Sequence, residues 1–498
     1  MLEIKKYKFY FCPCTQDLYG DECLRHVHEH AEEVVNYLNA SKEIPFEVEL
    51  KPNLLTASMI QQVFNEANND PDCAGIITWA HTFSPSKNYI LGLQDLRKPL
   101  CQFATQYNEE IPYDTIDMDF MNENQAAHGE RELGHIFARM RWNHKVVFGY
   151  WKDPVALTEL GQWQRVAVGI NESRNIRIAR FADTMRNVAV TDGDKIEAQV
   201  KLGWTVDAWP INDLTPYVES VTAAEIKELT DEYYETYGLV LDGRDPEEFR
   251  RHVEVQAAQE IGIERFLVEH NYNAFSDHFG DLGALKQLPS LSIQRLMQKG
   301  FGFGPEGDWK TPGMVRLMKV MTANDPNAKG SALMEDYTYN LVPGKDGILE
   351  SHMSEVDPSM ADGEIKIRAT PLSMGDREDP ARLIFTAKTG PAIATSLIDL
   401  GNRFRLIIQD VDCKKVKKPM PMLPTGTMFW TPRPNLKVGT EAWIYAGGAH
   451  HTAVSYDLTA DQMIDWADAM GIESVVIDAN TNLRDFKRDL KLGEVYYK

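Results

Sequence analysis

The sequence predicts an α/β protein in which two domains with doubly wound parallel sheets precede a β-rich, barrel-like C-terminal domain. Three observations support this fold class. The chain has 498 residues, strand and helix patterns alternate through its first half, and β patterns predominate beyond about residue 323. One hydrophobic core stops growing at about 250–300 residues, so several domains are expected. We place them at residues 1–175, 176–325 and 326–498.

The first domain begins with an aromatic strand pattern at residues 7–11, followed by a helix pattern. Apolar residues from Leu24 to Leu38 recur at spacings of three and four, which predicts a helix with one buried face. Strands that alternate with helices form parallel sheets, and such sheets bind ligands at the carboxyl ends of their strands. Further strands are predicted at 46–50, 75–79, 99–103 and 145–150, with a helix at 59–67.

The second domain begins with a strand pattern at residues 176–181 and continues through two helix patterns, at 223–237 and 246–270. In the third domain, strands are predicted at 364–369, 382–387 and 403–409. Helical patterns return only at 460–470 and 483–492, on either side of a strand at 474–478. The dominant pattern therefore changes from helical to β near the start of the third domain.

The composition excludes several classes of function. Lys and Arg number 52 against 74 Asp and Glu, a net charge of −22, which disfavours binding to nucleic acids and to anionic membranes. No apolar run approaches the ~20 residues of a membrane span, and no export signal is recognisable. The six cysteines lack metal or redox spacing, so we expect reduced thiols in the cytoplasm.

Four segments carry carboxylates and imidazoles in glycine-rich or β-rich surroundings. An oxygen and nitrogen ligand set without thiolates suits a six-coordinate first-row ion such as manganese better than a structural zinc ion. Each residue also has an ordinary alternative, as a solvated loop acid, an exposed strand residue or a hydrogen-bonded core histidine, and spacing alone does not show that the segments meet. The candidates are Glu306, Glu335, His352 and the adjacent pair His450 and His451.

Residues 302–307 match the glycine spacing of a dinucleotide-binding loop. Such a loop leaves a strand and opens a helix, whereas residues 291–299 before it have a helix pattern. Pro305 also removes a phosphate-binding N–H. We therefore expect no nicotinamide site here.

Several longer stretches make the chain similar to the L-arabinose isomerase family over essentially its whole length. These stretches are residues 16–20, 81–85, 117–122, 189–195, 307–311, 334–339, 379–383 and 446–452. The resemblance implies Rossmann-like first and second domains, a fucose isomerase-like architecture, and interconversion of L-arabinose and L-ribulose, with D-galactose to D-tagatose as a side activity. It also implies a homohexamer whose active sites are each completed by a neighbouring subunit.

The same resemblance assigns roles to individual residues. It implies one Mn2+ per subunit, replaceable by Co2+ or Mg2+, held by Glu306, Glu335, His352 and His451. Glu306 and Glu335 are also our candidate acid/base pair around an enediol. The implied substrate contacts are Gln16, Leu18, Phe83, Gln125, His128, Met185, Phe279, Met374 and His450.

Met374 departs from the family pattern, which has isoleucine there, and a flexible methionine fills different space near the sugar. The preference between pentose and hexose is therefore open. Two competing functions are an isomerase for another aldose, such as L-fucose or D-galactose, and a non-catalytic sugar-binding protein with a cleft between α/β domains.

Overall fold

The computed structural model describes Leu2, residues 4–372 and residues 377–497. The predicted substrate contact Met374 lies outside the described residues. The chain forms two compact units, one spanning Ile4–Asn171 and the other beginning at Glu172. The predicted limits of three domains stay a prediction.

The first unit is built on a five-stranded parallel sheet with the strand order β2-β1-β3-β4-β5. Its strands are β1 (Lys8–Cys14), β2 (Glu47–Leu50), β3 (Cys73–Ala80), β4 (Leu100–Ala104) and β5 (Lys145–Phe148). Its helices are α1 (Gly20–Ala40), α2 (Ala57–Asn69), α3 (Tyr89–Asp95), α4 (Met118–Glu123), α5 (Ala126–Met140) and α6 (Pro154–Ser173), which ends at the boundary between the units.

Hydrophobic patterning explains these elements. The predicted stripe of α1 is buried from Val27 to Leu38. Every residue of β3 is buried, as expected for the central strand of a parallel sheet covered on both faces. Thr56 begins α2 by accepting a hydrogen bond from the N–H of Met59, at 3.3 Å.

The second unit begins with a four-stranded parallel sheet of order β10-β9-β6-β7. Its strands are β6 (Arg177–Phe181), β7 (Thr205–Trp209), β9 (Ala274–Ser276) and β10 (Gly302–Gly304); β8 (Gly238–Val240) pairs elsewhere. The helices are α7 (Lys195–Leu202), α8 (Ile211–Glu219), α9 (Ala223–Thr236), α10 (Pro246–Glu269), α11 (Leu291–Gln298) and α12 (Lys310–Thr322).

An antiparallel barrel follows, in which β15, β18, β11, β12, β17 and β16 pair in a closed ring because β15 also pairs with β16. The remaining strands are β11 (Ser331–Asn340), β12 (Gly347–Ser351), β13 (Lys366–Ala369), β14 (Ala381–Ile384), β15 (Gly390–Asp399), β16 (Phe404–Cys413), β17 (Thr427–Pro432), β18 (His451–Ser455) and β19 (Glu473–Ile477). The last helices are α13 (Leu436–Ala446), α14 (Ala460–Met470) and α15 (Leu483–Tyr496).

The predicted fold class is confirmed: parallel-sheet α/β elements precede an antiparallel barrel. Within the described residues, none of the helices has the length and apolar character that a membrane span requires.

One part of the interpretation of residues 302–307 was wrong, because a short strand does precede the loop. The helix before it is present as α11, but Gly302–Gly304 then forms strand β10 and α12 follows at Lys310. A three-residue strand between two helices is too short to show a strand period in the sequence. Pro305 still lacks the N–H that a phosphate-binding loop needs.

Candidate metal centre and active site

Strand pairing in the barrel brings three distant segments together. β11 lies between β18 and β12, and Glu335 on β11 is paired with His451 on one side and with Ser351 on the other. His352 follows Ser351 directly. Residues from three places in the sequence therefore meet because of the register of three neighbouring strands.

A β-bulge lies immediately beyond Glu335. Asp336 pairs with Glu350 and Thr338 with Leu349, so Tyr337 is an extra residue in β11. Bulges occur often beside active sites because they change the direction of a strand and of its side chains.

Glu306 reaches the same place from the turn between β10 and α12. Its φ angle is +63°, an unusual conformation for a residue with a side chain. The turn is held by backbone hydrogen bonds, from the N–H of Met185 to the Glu306 carbonyl (2.8 Å) and from the N–H of Gly307 to the Asp277 carbonyl (2.9 Å). Gly307 is required, because a Cβ there would lie 2.3 Å from the carbonyl oxygen of Asp183.

The side chains of the cluster face each other at short range without ordinary hydrogen bonds. Nε2 of His352 lies 3.5 Å from Glu335, and Nε2 of His451 lies 3.7 Å from Glu306. Nε2 of His450 lies 3.9 Å from Glu306 and 3.8 Å from Glu335. Two ligands of one ion, each about 2.0–2.2 Å from it, are typically separated by about 3–4 Å.

Two further carboxylates orient the imidazoles. Asp308 accepts a hydrogen bond from Nδ1 of His451 at 3.2 Å, and Glu355 accepts one from Nδ1 of His352. A proton held at Nδ1 leaves Nε2 with a free lone pair, which is the usual arrangement of histidines that bind metals. Nε2 of His451 is buried and has no hydrogen-bond partner among the described residues.

The charges of the site follow from these contacts. Burial alone would raise the pKa of Glu306, but the facing imidazoles of His450, His451 and His352 hold that pKa below its usual range. Burial also opposes ionisation of Asp308, yet Lys310 and His451 lower its pKa. Burial opposes protonation of His352, but the charge and the hydrogen bond of Glu355 outweigh it and raise the pKa of the imidazole to about 9. A cation that binds His352 must therefore displace a proton.

A carboxyl pair lies behind the ligands. Asp336 and Glu350 face each other across β11 and β12. Burial raises the pKa of Asp336 to about 6, and burial together with the charge of Asp336 raises the pKa of Glu350 well above its usual value. Burial and mutual repulsion therefore both disfavour two negative charges in this carboxyl pair.

A cavity of about 250 Å³ adjoins the cluster. Its lining includes Glu306, Glu335 and His352, together with the predicted substrate contacts Met185 and Phe279. The volume lies just below the range of about 300–1,000 Å³ that is typical of drug-sized ligands, as suits a small polyol. The predicted contact His450 is part of the cluster itself.

The other predicted substrate contacts belong to the first unit. Nδ1 of His128 lies 3.0 Å from Oε1 of Gln125, and the rings of Phe83 and His128 are 4.6 Å apart. These three side chains form one group at the carboxyl end of the parallel sheet.

Leu18 lies on a short 3-10 helix (Asp17–Tyr19) of the same unit, and Gln16 is the N-cap of that helix. The neighbouring Tyr19 hydroxyl accepts a hydrogen bond from Gln125 at 3.4 Å, which links this turn to the group above. Leu18 is 78% exposed, which is unusual for a leucine.

Sequence reasoning assigned no role to Asp308, Glu355 and Asp277. The first two hold the histidines, and Asp277 lines the cavity with a carboxyl whose pKa is raised by burial and by the charge of Glu355. The His352-x-x-Glu355 spacing was a usable signal, because metal-binding histidines usually bond to a carboxylate. Nothing in the sequence pointed to Asp277.

Comparison with known proteins gives a consistent match along the chain. Three family models match, described as the L-arabinose isomerase N-terminal domain at residues 3–175, central domain at 177–324 and C-terminal domain at 330–473.

Individual relatives match at full length. An L-arabinose isomerase of Geobacillus stearothermophilus is 49% identical over 498 residues, covering 100% of both chains. L-arabinose isomerase 1 of Bacillus licheniformis is 49% identical, covering 100% of this chain and 99% of its own. One of Clostridium beijerinckii is 47% identical and covers 100% of both.

Proposed function

Because the chain belongs to the L-arabinose isomerase family and is therefore an isomerase of the intramolecular oxidoreductase class, we propose that it converts L-arabinose to L-ribulose through an enediol with the help of one divalent cation. The observation that carries the proposal is the clustering of Glu335 with His352 and of Glu306 with His451, two pairs that both face His450. Nε2 of His451 is buried without a hydrogen-bond partner among the described residues, which suits a nitrogen that binds a cation. D-Galactose, converted to D-tagatose, is a proposed side substrate.

The proposed ligands are Glu306, Glu335, His352 and His451. A bound divalent cation supplies Lewis-acid stabilisation of the negative charge that develops on the sugar oxygens. Mn2+ is the proposed ion, with Co2+ or Mg2+ as substitutes, because two carboxylates and two imidazoles suit a six-coordinate first-row ion.

The reaction moves one proton between carbons and one between oxygens. In our proposal one carboxylate of the pair Glu306 and Glu335 removes the proton from C2 of the aldose and returns it to C1, while the other moves a proton from O2 to O1. The product is an isomer, so no external oxidant or reductant is needed. Glu306 suits this work because its lowered pKa keeps it ionised at neutral pH.

The remaining groups position the sugar. Met185 and Phe279 bound the apolar side of the cavity, and His450 adds a hydrogen-bonding group beside Glu306. Burial and the nearby Glu335 charge raise the pKa of Tyr337, so its hydroxyl remains a proton donor at all working pH values.

We further propose a homohexamer in which Gln16, Leu18, Phe83, Gln125 and His128 of one subunit contact the sugar in a neighbouring subunit. The high exposure of Leu18 and the grouping of Phe83, Gln125 and His128 support this assignment. A cytoplasmic location and a role as the first step of L-arabinose catabolism complete the proposal; the free thiols of all six cysteines are consistent with a reducing compartment.

The decisive experiment is incubation of the purified protein with Mn2+ and L-arabinose in D2O. We expect L-ribulose that carries solvent deuterium at C1, because an enediol exchanges protons with water. Parallel incubations with D-galactose and L-fucose determine the substrate preference.

Glu306→Gln removes one carboxylate of the proposed acid/base pair, and Glu364→Gln, at an exposed residue, is its control. Absence of any ketose, or wild-type turnover in Glu306→Gln, would contradict the proposal.

A further inference from the structure

A second group of metal-binding side chains lies in the first unit, in a different part of the chain from the Glu306 cluster. Ligand atoms of His30, His81 and Glu123 all lie within 4.8 Å of one another. They come from helix α1, from the segment that follows β3 and from the last residue of α4. We propose that His30, His81 and Glu123 bind a second divalent cation, of the zinc class, that joins these three elements.

The orientation of His81 supports a metal site. Its Nδ1 lies 3.0 Å from the backbone carbonyl of Glu123, so the proton of the neutral ring sits at Nδ1 and is donated to that carbonyl. The lone pair is then at Nε2, which faces Nδ1 of His30 at 2.7 Å. A histidine whose second nitrogen is fixed by a carbonyl is the usual form of a metal ligand.

The carboxylate of Glu123 is oriented in the same way. His26 lies one turn before His30 on α1, and its Nδ1 is 3.0 Å from Oε2 of Glu123. Its Nε2 lies 3.3 Å from the Arg25 guanidinium, which can only donate, so the proton of His26 is at Nδ1 and is donated to Glu123. This leaves Oε1, which lies 4.0 Å from Nδ1 of His30.

The distances match a site that a cation would adjust slightly. Two ligands at about 2.0–2.2 Å from a tetrahedral ion lie about 3.4 Å apart. The His30 to His81 separation of 2.7 Å is shorter than this and the His30 to Glu123 separation of 4.0 Å is longer. Binding of a cation would therefore replace the hydrogen bond between His30 and His81 and bring Glu123 closer to His30, which requires only small movements of His30.

The surroundings hold the imidazoles in place, and His81 is fully buried. The ring of Tyr107 stacks on His30 with centroids 3.6 Å apart, and Trp79 packs against His81 at 4.7 Å. The side chains of His30 and Glu123 are 24% and 21% exposed, which leaves room for a water ligand.

Such a cation would stabilise the segments that carry three of the proposed sugar contacts. Phe83 follows His81 by two residues, and the N–H of Gln125 donates to the His81 carbonyl at 3.0 Å. The inference does not depend on the proposed isomerase activity, because it concerns binding of a metal and not turnover.

The test measures bound metal in the full-length protein. Wild-type protein is stripped with a chelator, freed of the chelator, equilibrated with Zn2+ and analysed for zinc per chain. We expect His30→Gln and Glu123→Gln each to bind one zinc fewer per chain than the wild type. His28→Gln is the matched control, because His28 lies on the same helix but outside the group, with its side chain 44% exposed.

Two further measurements separate binding from general damage to the fold. Co2+ should give a visible absorption band assigned to this site that is lost in His30→Gln and retained in His28→Gln. Zn2+ should raise the thermal midpoint more in the wild type than in His30→Gln. His26→Gln should weaken zinc binding about 10–100-fold without abolishing it, since His26 orients Glu123. Equal zinc content in wild type, His30→Gln and Glu123→Gln would overturn the proposal.

Discussion

Oδ2 of Asp308 lies 3.2 Å from Nδ1 of His451, so this carboxylate determines which nitrogen of the ring keeps its proton. Asp308→Asn removes the charge but keeps the size of the side chain. We expect the variant to need about 10–100-fold more Mn2+ for half-maximal activity, because loss of such a partner typically weakens a metal site by that factor. A titration of activity against Mn2+ concentration gives the value.

Asp362→Asn is the control for this change, because Asp362 is an exposed residue of the same unit. An unchanged Mn2+ requirement in Asp308→Asn would mean that Asp308 does not orient the ligand.

Glu335→Gln tests the acid/base pair. The amide keeps the shape of the side chain but cannot accept a proton, so we expect kcat to fall by about 10²–10⁴-fold. Initial rates of ketose formation at saturating Mn2+ measure the effect, so that weakened binding of the ion does not obscure it. Retention of more than a tenth of the wild-type kcat would rule out a proton-transfer role for Glu335.

Removal of the ion should abolish activity and loosen the protein around the cluster. A cation that binds only the folded state stabilises it, so the stripped protein is expected to have a lower thermal midpoint, and Mn2+ should restore both properties. Elemental analysis of the stripped sample verifies that the ion is gone. Full activity in a sample free of metal would contradict the proposal.

Gly307→Ala tests the turn that carries Glu306. Gly307 and Gly363 have similar positive φ angles, +74° and +92°, so alanine costs about 1–2 kcal/mol in conformation at either position. Only at Gly307 would the new Cβ meet another atom, the Asp183 carbonyl. We expect Gly307→Ala to lower the thermal midpoint more than Gly363→Ala and to weaken Mn2+ binding. Equal effects of the two substitutions would show that the turn adapts.

Glu130 gives a prediction for pH dependence. Burial raises the pKa of its carboxyl to about 7 from an ordinary 4.5, even though it accepts hydrogen bonds from the N–H of Ala80 and the amide of Gln102. Between about pH 4.5 and 7 the folded state therefore binds more protons than the unfolded state, so stability falls as pH rises through this window, by about 3 kcal/mol in total.

Thermal midpoints measured from pH 4.5 to 8 test this expectation. Glu130→Gln cannot ionise, so the variant should lose this part of the pH dependence, whereas Glu132→Gln, a less buried residue of the same helix, should keep it. A thermal midpoint of the wild type that rises between pH 4.5 and 7, or the same pH profile in Glu130→Gln, would show that the Glu130 carboxyl does not titrate in this pH range.

Much of the fold could be predicted because periodic burial leaves a record in the sequence. The stripe of α1 and the apolar run of β3 are examples, and both elements are where the pattern put them. β10 was missed because three residues show no period. The barrel strand β11 was missed because its exposed second half and the bulge at Tyr337 break the alternation on which a strand prediction depends.

The site was only partly accessible to sequence reasoning. The residue types of Glu306, Glu335 and the histidines suggested a cation, but their convergence depends on strand register, which no local pattern specifies. Asp308 acts by holding His451, so its role became visible only with distances, whereas the spacing of Glu355 from His352 was the one signal in the sequence for its role.

The pairing of Glu335 with His451 has a consequence for how this chain can change over generations. Loops that join the barrel strands can gain or lose residues while the ligands stay in place, because their length does not enter the alignment of the strands. A single residue deleted between Ser331 and Glu335 is different, since it would rotate Glu335 to the opposite side of β11 and empty one corner of the cluster. We therefore expect natural variation in length to accumulate outside these few residues.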